Sequence, residues 1–219
     1  MSSFTCQAVL FDLDGVLVDS TACVARIWRE WAGEHGLDPA HVVEVTHGRR
    51  TVETVRLVAP HLDAQAEANK IEQRELNDTD GLRVLPGAKE ILAAIPPGRY
   101  TIVTSGTRRL AIKRLQTAGL PVPAQMVTAN EVTNGKPDPE PYLAGASLLG
   151  REPRECLVFE DAPSGIRSAH AGQMRVIALT TTYPAAELAD AEFVTKSLAC
   201  IHVELMPSGE LNVASEPLC

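Results

Sequence analysis

Aromatic residues are scarce in this 219-residue chain: Phe, Trp and Tyr make up 4% of it. A hydrophobic core therefore has to be assembled from Ala, Val, Leu and Ile. Positive charge is also in short supply. Twenty Lys and Arg face 28 Asp and Glu, for a formal net charge of −8. A Lys/Arg surplus supplies most of the affinity for nucleic acid and anionic membranes, so neither partner is expected. A phosphorylated ligand would need locally placed cations or a metal. No apolar run approaches the ~20 residues that span a bilayer. The five cysteines, Cys6, Cys23, Cys156, Cys200 and Cys219, are scattered and form no CxxC pair. Free thiols in a reducing compartment are expected. Met1–Cys6 lacks a basic stretch ahead of an apolar one, so no secretory signal is read and a cytoplasmic protein is expected. Internal repeats and low-complexity tracts are absent. Composition and length suit one globular domain, or a core with a small second lobe. No unambiguous exposed apolar stripe stands out, which leaves a monomer or small homo-oligomer.

What is present has two textures. Gln7–Leu13 is an apolar run ending in acid and glycine, the pattern of a buried parallel strand. From about residue 20 to 82 the spacing is helical throughout. Val24, Ile27, Trp28, Trp31 and Ala32 recur at helical intervals before Gly36, and Pro39–Thr46, Thr51–Val58 and Asp63–Asn77 read the same way. After residue 84 strands and helices alternate: a helix from Pro86 to Ile95, strand Tyr100–Ser105, helix Arg108–Ala118, a brief strand Met126–Thr128, helix Pro139–Leu149, strand Cys156–Glu160, helix Ser164–Ala171 and strand Val176–Thr181. Such alternation predicts βαβ units and an α/β, Rossmann-like, mostly parallel sheet with helices on both faces. Ile201–Leu205 and Leu211–Val213 flank a turn and predict a hairpin. The organisation expected is a core of residues 1–18 and 84–219, with a helical cap, 19–83, inserted after the first strand. Hinges would fall near Leu17–Ser20 and Leu82–Pro86.

Four polar clusters fall where predicted strands end, the edge at which open α/β sheets bind ligands. Asp12 and Asp14 are two apart, so a strand would turn both carboxylates the same way. Close like charges need a shared cation or proton, and oxygen-only ligands suit magnesium. One carboxylate could then attack phosphorus while the other moves protons. Ser105 closes the strand Tyr100–Ser105 and could hold phosphoryl oxygens. Lys136, one of only five lysines, sits in a tight Gly/Pro loop, where a fixed ammonium could offset phosphoryl charge. Glu160 and Asp161 end another strand and could complete a metal site. Singly, each has a plainer reading. An Asp-x-Asp triplet is most often a turn or cap, a strand-end Ser is structural, a loop Lys is solvated, and Glu-Asp before Ala-Pro is a helix N-cap. The combination and order carry the functional reading.

FDLDGVLVDS, VTSGT, GKPDPEPY and VFEDAPSGI resemble the four motifs of the haloacid dehalogenase superfamily, over roughly residues 7–196. HGRRTVETV, VTSGTRR and TANEV further resemble its 2-deoxyglucose-6-phosphatase and glycerol-phosphate phosphatase group. The resemblance implies a phosphatase of small sugar or polyol phosphates. It implies Asp12 as nucleophile and Asp14 as general acid/base. Mg²⁺ would be held by Asp12, the main-chain carbonyl of Asp14 and Asp161, with Glu160 in or beside the shell. Ser105 and Lys136 would bind the phosphoryl group, with Gly106 and Thr107 lining the same loop. His47 and Arg49, between two cap helices, are expected to touch the sugar or leaving group, whereas Trp28 and Trp31 are expected in the cap core. The alternative is a sugar-phosphate mutase resembling β-phosphoglucomutase. Those enzymes carry a histidine ten residues after the second aspartate, where this chain has Val24, and the departure favours hydrolysis. Asp14 argues against dehalogenation. Lys70, the one cap lysine, lies in a polar helix and does not suit a phosphonatase Schiff base. A phospho-acceptor receiver module would also carry a strand-end Asp, a Ser/Thr and a Lys, but a helical insert straight after the Asp strand does not suit one.

Overall fold

The computed structural model describes residues 2–215. Strand β1 (Ser3–Cys6) is followed directly by β2 (Ala8–Phe11), whose four residues are all buried. The chain then forms β3 (Val18–Asp19) and helices α1 (Thr21–Glu34), α2 (Pro39–Thr46), α3 (Thr51–Val58) and α4 (Ala64–Asn77). It returns through β4 (Arg83–Val84), which pairs antiparallel with β3. This two-stranded stem sits where the hinges were expected. Next come α5 (Ala88–Ala94), β5 (Tyr100–Ile102), α6 (Arg108–Thr117), α7 (Glu140–Leu148), β6 (Cys156–Glu160), α8 (Pro163–Ala171), β7 (Arg175–Leu179), β8 (Phe193–Thr195), β9 (Ile201–Leu205) and β10 (Leu211–Ser215).

The central sheet has the order β5-β2-β6-β7-β8, and every pairing is parallel. Alternation along β2 sends Val9 and Phe11 into one apolar layer with Ile91 and Leu92 of α5 and Leu115 of α6. Ala8 and Leu10 face the opposite layer with Tyr142 and Ala146 of α7 and Ile166 of α8. Helices thus cover both faces, as the continuous apolar strands require. Phe11 and Phe159 stack at 5.1 Å between centroids. The four helices α1–α4 pack around a third cluster that includes Ile27, Trp28, Trp31, Val42, Val55 and Ile71.

Several expectations need correction. The Asp12 strand is the second in the chain. The short, half-polar β1 precedes it and pairs with β10, so the predicted C-terminal hairpin is part of a three-stranded antiparallel sheet, β1-β10-β9. The Ala8–Phe11 strand stops before Asp12, because the backbone bends there and Gly15 takes a left-handed φ of +81°. Met126–Thr128 makes only an isolated parallel bridge, Val103 to Val127. Strand β8 had no apolar run to announce it. Cys6, Cys23 and Cys156 are free and buried, but Cys200 is disulfide-bonded, a pairing that the absence of a CxxC motif does not preclude. Cys219 and the end of the 84–219 segment lie outside the described residues. No helix among the described residues is long and apolar enough to cross a membrane.

Candidate active site

The parallel strands end at one edge, and their next residues converge there. Asp12 follows β2, Ser105 follows β5 by three residues, and Glu160 and Asp161 close β6. Lys136 reaches the same point from the loop before α7. Its Nζ lies 2.7 Å from Asp12 Oδ1 and 2.6 Å from Glu160 Oε1, and donates a third, longer bond to the Val103 carbonyl at 3.3 Å. The lysine is 3% exposed. Burial opposes its charge, but Asp12 and Glu160 more than compensate and hold its pKa above the ordinary value.

Two carboxylates pair with that one ammonium, and Asp161 lies beside them. Glu160 is the best satisfied. Its Oε1 accepts from Lys136 and Tyr142 Oη at 2.8 Å, and its Oε2 accepts from the amides of Asp161 and Ala162. Burial works against its charge, yet the lysine and these donors keep its pKa below the usual value. Asp12 and Asp161 are left short of positive charge. Burial pushes Asp12 up to about 7, with Glu160 adding to the effect and Lys136 opposing it. Burial, and then the charges of Glu160 and Asp12, push Asp161 well above the carboxylate range. Asp12, Glu160 and Asp161 each offer an oxygen within 4.8 Å of the others. A buried, oxygen-only set carrying more negative than positive charge fits a hard divalent cation, which would relieve the repulsion. With both Glu160 oxygens engaged twice, Asp12 and Asp161 have the freer lone pairs. Gly15 is required beside them: a Cβ there would lie 1.9 Å from Asp161 Oδ2.

Asp14 does not point at this cluster. Its Oδ1 accepts from Ser20 Oγ at 2.6 Å, and its Oδ2 pairs with Arg114 Nη1 at 2.5 Å. Both aspartates nevertheless line one pocket, together with Ser105, Gly106, His47, Gly48, Arg49 and Asp161. Ser105 Oγ donates to the Gly48 carbonyl at 3.1 Å, so its hydroxyl meets the α2–α3 loop in this structure. His47 caps α2, and burial lowers its pKa, which keeps the imidazole neutral near pH 7. Arg49 is an exposed part of the wall, and Arg50 turns away to the carbonyls of Val132 and Thr133. Trp31 is enclosed, with Nε1 donating to Glu67. Trp28 belongs to the same apolar cluster but also borders the pocket, as does Val24.

Sequence reasoning missed Arg114, Glu75 and Tyr142. Arg114 sits on the buried face of α6 with Leu110, Ala111 and Leu115, and Glu75 on that of α4 with Ala68 and Ile71. A charge inside an apolar helical stripe was the available signal.

An α/β sheet with an acidic, lysine-bridged centre at its carboxyl edge defines a phosphoryl-transfer or related hydrolytic class. Residues 6–173 match the family description "haloacid dehalogenase-like hydrolase". Hexitol phosphatase A of Escherichia coli (strain K12) is 41% identical over 95% of this chain and 99% of its own length. Glycerol-1-phosphate phosphohydrolase 2 of Saccharomyces cerevisiae is 36% identical over 83% of this chain and 77% of its own. A crystal structure of a hydrolase from Pseudomonas syringae superposes with a TM-score of 0.79 at 27% identity, covering 88% of this chain and 94% of that one. The chain belongs to the haloacid dehalogenase-like hydrolase family.

Proposed function

We propose that the protein is a magnesium-dependent phosphomonoester hydrolase of small sugar or polyol phosphates, working through an aspartyl-phosphate on Asp12. The observation that carries this is the buried Asp12–Lys136–Glu160–Asp161 cluster opening into the pocket that also holds Asp14. The names of the relatives support the substrate class. Asp12, the Asp14 carbonyl and Asp161 would hold Mg²⁺, whose bound charge would offset that of nucleophile and phosphoryl group.

Lys136 keeps one Asp12 oxygen ionised and oriented. The other attacks phosphorus; the bond from phosphorus to the substrate oxygen breaks, and Asp14 delivers a proton to that oxygen. Asp14, now ionised, takes a proton from water, which attacks phosphorus, breaks the bond to Asp12 and frees inorganic phosphate. Ser20 and Arg114 hold Asp14 between these transfers. Residues 19–83 act as a cap, since their α2–α3 loop borders the pocket through His47 and Arg49. Val24 on the pocket wall offers no imidazole to manage the proton of a returning hydroxyl, which supports hydrolysis over mutase chemistry. A phosphate-release screen over hexitol, hexose and glycerol phosphates tests this. Turnover with Mg²⁺, its loss in EDTA and its loss in Asp12→Asn are expected. No release across the panel would sink the reading.

A further inference from the structure

Glu75 is an acid on the inward face of α4, only 6% exposed. Carboxylates this buried are normally well paired. This one has a single ion-pair partner: it lies 3.4 Å from Arg114 Nη2, on a guanidinium that also serves Asp14, and the described residues add no hydrogen bond to it. It borders the pocket that holds Asp12 and Asp14. A carboxylate with one ion-pair partner that borders a cavity keeps acceptor capacity for O–H or N–H donors.

The rest of the pocket wall is mixed polar and apolar, and the other carboxylate in it that pairs with Arg114 is Asp14. Thr46 and Thr54 contribute hydroxyls, and Val24 and Trp28 contribute apolar surface. Arg114 divides its charge between Asp14 and Glu75, so it offers no free cation here. Arg49 is the other guanidinium in the wall, and it is exposed. A second phosphate at this end would meet a carboxylate at low dielectric, where like charges repel strongly.

We propose that Glu75 is the specificity-determining residue of this enzyme: it accepts hydrogen bonds from the hydroxyls of an uncharged polyol tail and turns away substrates with a second phosphate. The proposal rests on the phosphomonoesterase reading above. The competing role for Glu75 is indirect, holding Arg114 against Asp14.

Three substrates separate these outcomes: a hexitol monophosphate, n-butyl phosphate and a hexitol bisphosphate, each with wild type, Glu75→Ala and Glu75→Gln. Butyl phosphate has an alkyl leaving group of similar demand on Asp14 but no hydroxyls. In Glu75→Ala, kcat/KM for the hexitol phosphate is expected to fall roughly tenfold to a hundredfold, mainly through KM, as loss of a hydrogen bond to a charged group implies. Butyl phosphate turnover should stay within about twofold, since it makes no such bond. In Glu75→Gln, the bisphosphate should gain about tenfold relative to wild type as the repulsion is removed. The isosteric Gln variant carries the test if the Ala variant fails to fold. A parallel fall for both monophosphates would overturn the proposal in favour of the indirect role, as would survival of the polyol preference in both variants. Wild-type inactivity on all three substrates would instead remove the phosphomonoesterase reading itself.

Discussion

Replacing Lys136 with methionine keeps most of the unbranched side chain and deletes its charge. The ammonium lies 2.7 Å from Asp12 and 2.6 Å from Glu160, with its side chain 2% exposed. Removing one partner of a buried ion pair costs about 3–5 kcal/mol, a large share of the ~5–15 kcal/mol that holds a typical domain together. Here Asp12 and Glu160 would lose their shared cation, and the neighbouring Asp161 a nearby positive charge. They can recover part of the cost by binding protons, and this sets the pH dependence. Asp12 already stands at about 7, above its ordinary 3.8, mainly through burial. Losing the lysine raises it further. Between the unfolded and folded values the native state binds more protons than the unfolded state, so stability falls as pH rises through that window. Urea unfolding in EDTA should therefore show a loss of about 3–5 kcal/mol at pH 8 and under half of that at pH 5. Equal losses at both pH values would mean that packing, not charge, is responsible. No loss at either would refute the electrostatic account of the cluster.

The same cluster predicts how metal stabilises the fold. If Asp12 and Asp161 hold Mg²⁺ as proposed, the ion would compete with protons there, so its thermal shift should be larger at pH 8 than at pH 5. A concentration near 100 times Kd should raise Tm by about 5–10 °C at pH 8, and equal shifts would contradict the assignment. Asp14→Asn should slow alkyl phosphates by about 10²–10⁴. It should slow p-nitrophenyl phosphate far less, because that leaving group departs without a proton; uniform slowing would refute the acid role. Gly15→Ala places a Cβ 1.9 Å from Asp161 Oδ2 at a φ of +81°. It should cost about 1–2 kcal/mol in backbone strain alone and weaken Mg²⁺ binding in calorimetry, whereas wild-type affinity would show that Asp161 can move aside.

The central sheet was legible because its strands are buried on both faces and read as apolar runs: Ala8–Phe11 and Cys156–Glu160 are buried at every position. The helical segment was legible from its 3.6-residue spacing. β1 and β8 were not, since short strands with half-polar patterns look like loop until a partner is known. The proximity of Asp12, Ser105 and the Glu160–Asp161 pair was legible because they follow or close strands, and Lys136 because it sits in a tight Gly/Pro loop; His47 and Arg49, which share a pocket with Asp12 and Ser105, were singled out mainly by the family resemblance. Strand alternation predicted that Asp12 and Asp14 would point the same way. The bend at Gly15 instead sends Asp14 to Ser20 and Arg114. Glu75 and Arg114 meet across residues 75 and 114, a juxtaposition that only the packing of α4 near α6 creates.

Asp12 is proposed to carry the phosphoryl group between substrate and water. Acid quenching during turnover of a hexitol phosphate, followed by peptide mass spectrometry, tests it most directly. One added phosphoryl group is expected on the peptide containing Asp12, present in wild type and absent from an inactive Asp12→Asn variant. Steady phosphate release with no phosphorylated Asp12, or full activity in Asp12→Asn, would contradict it.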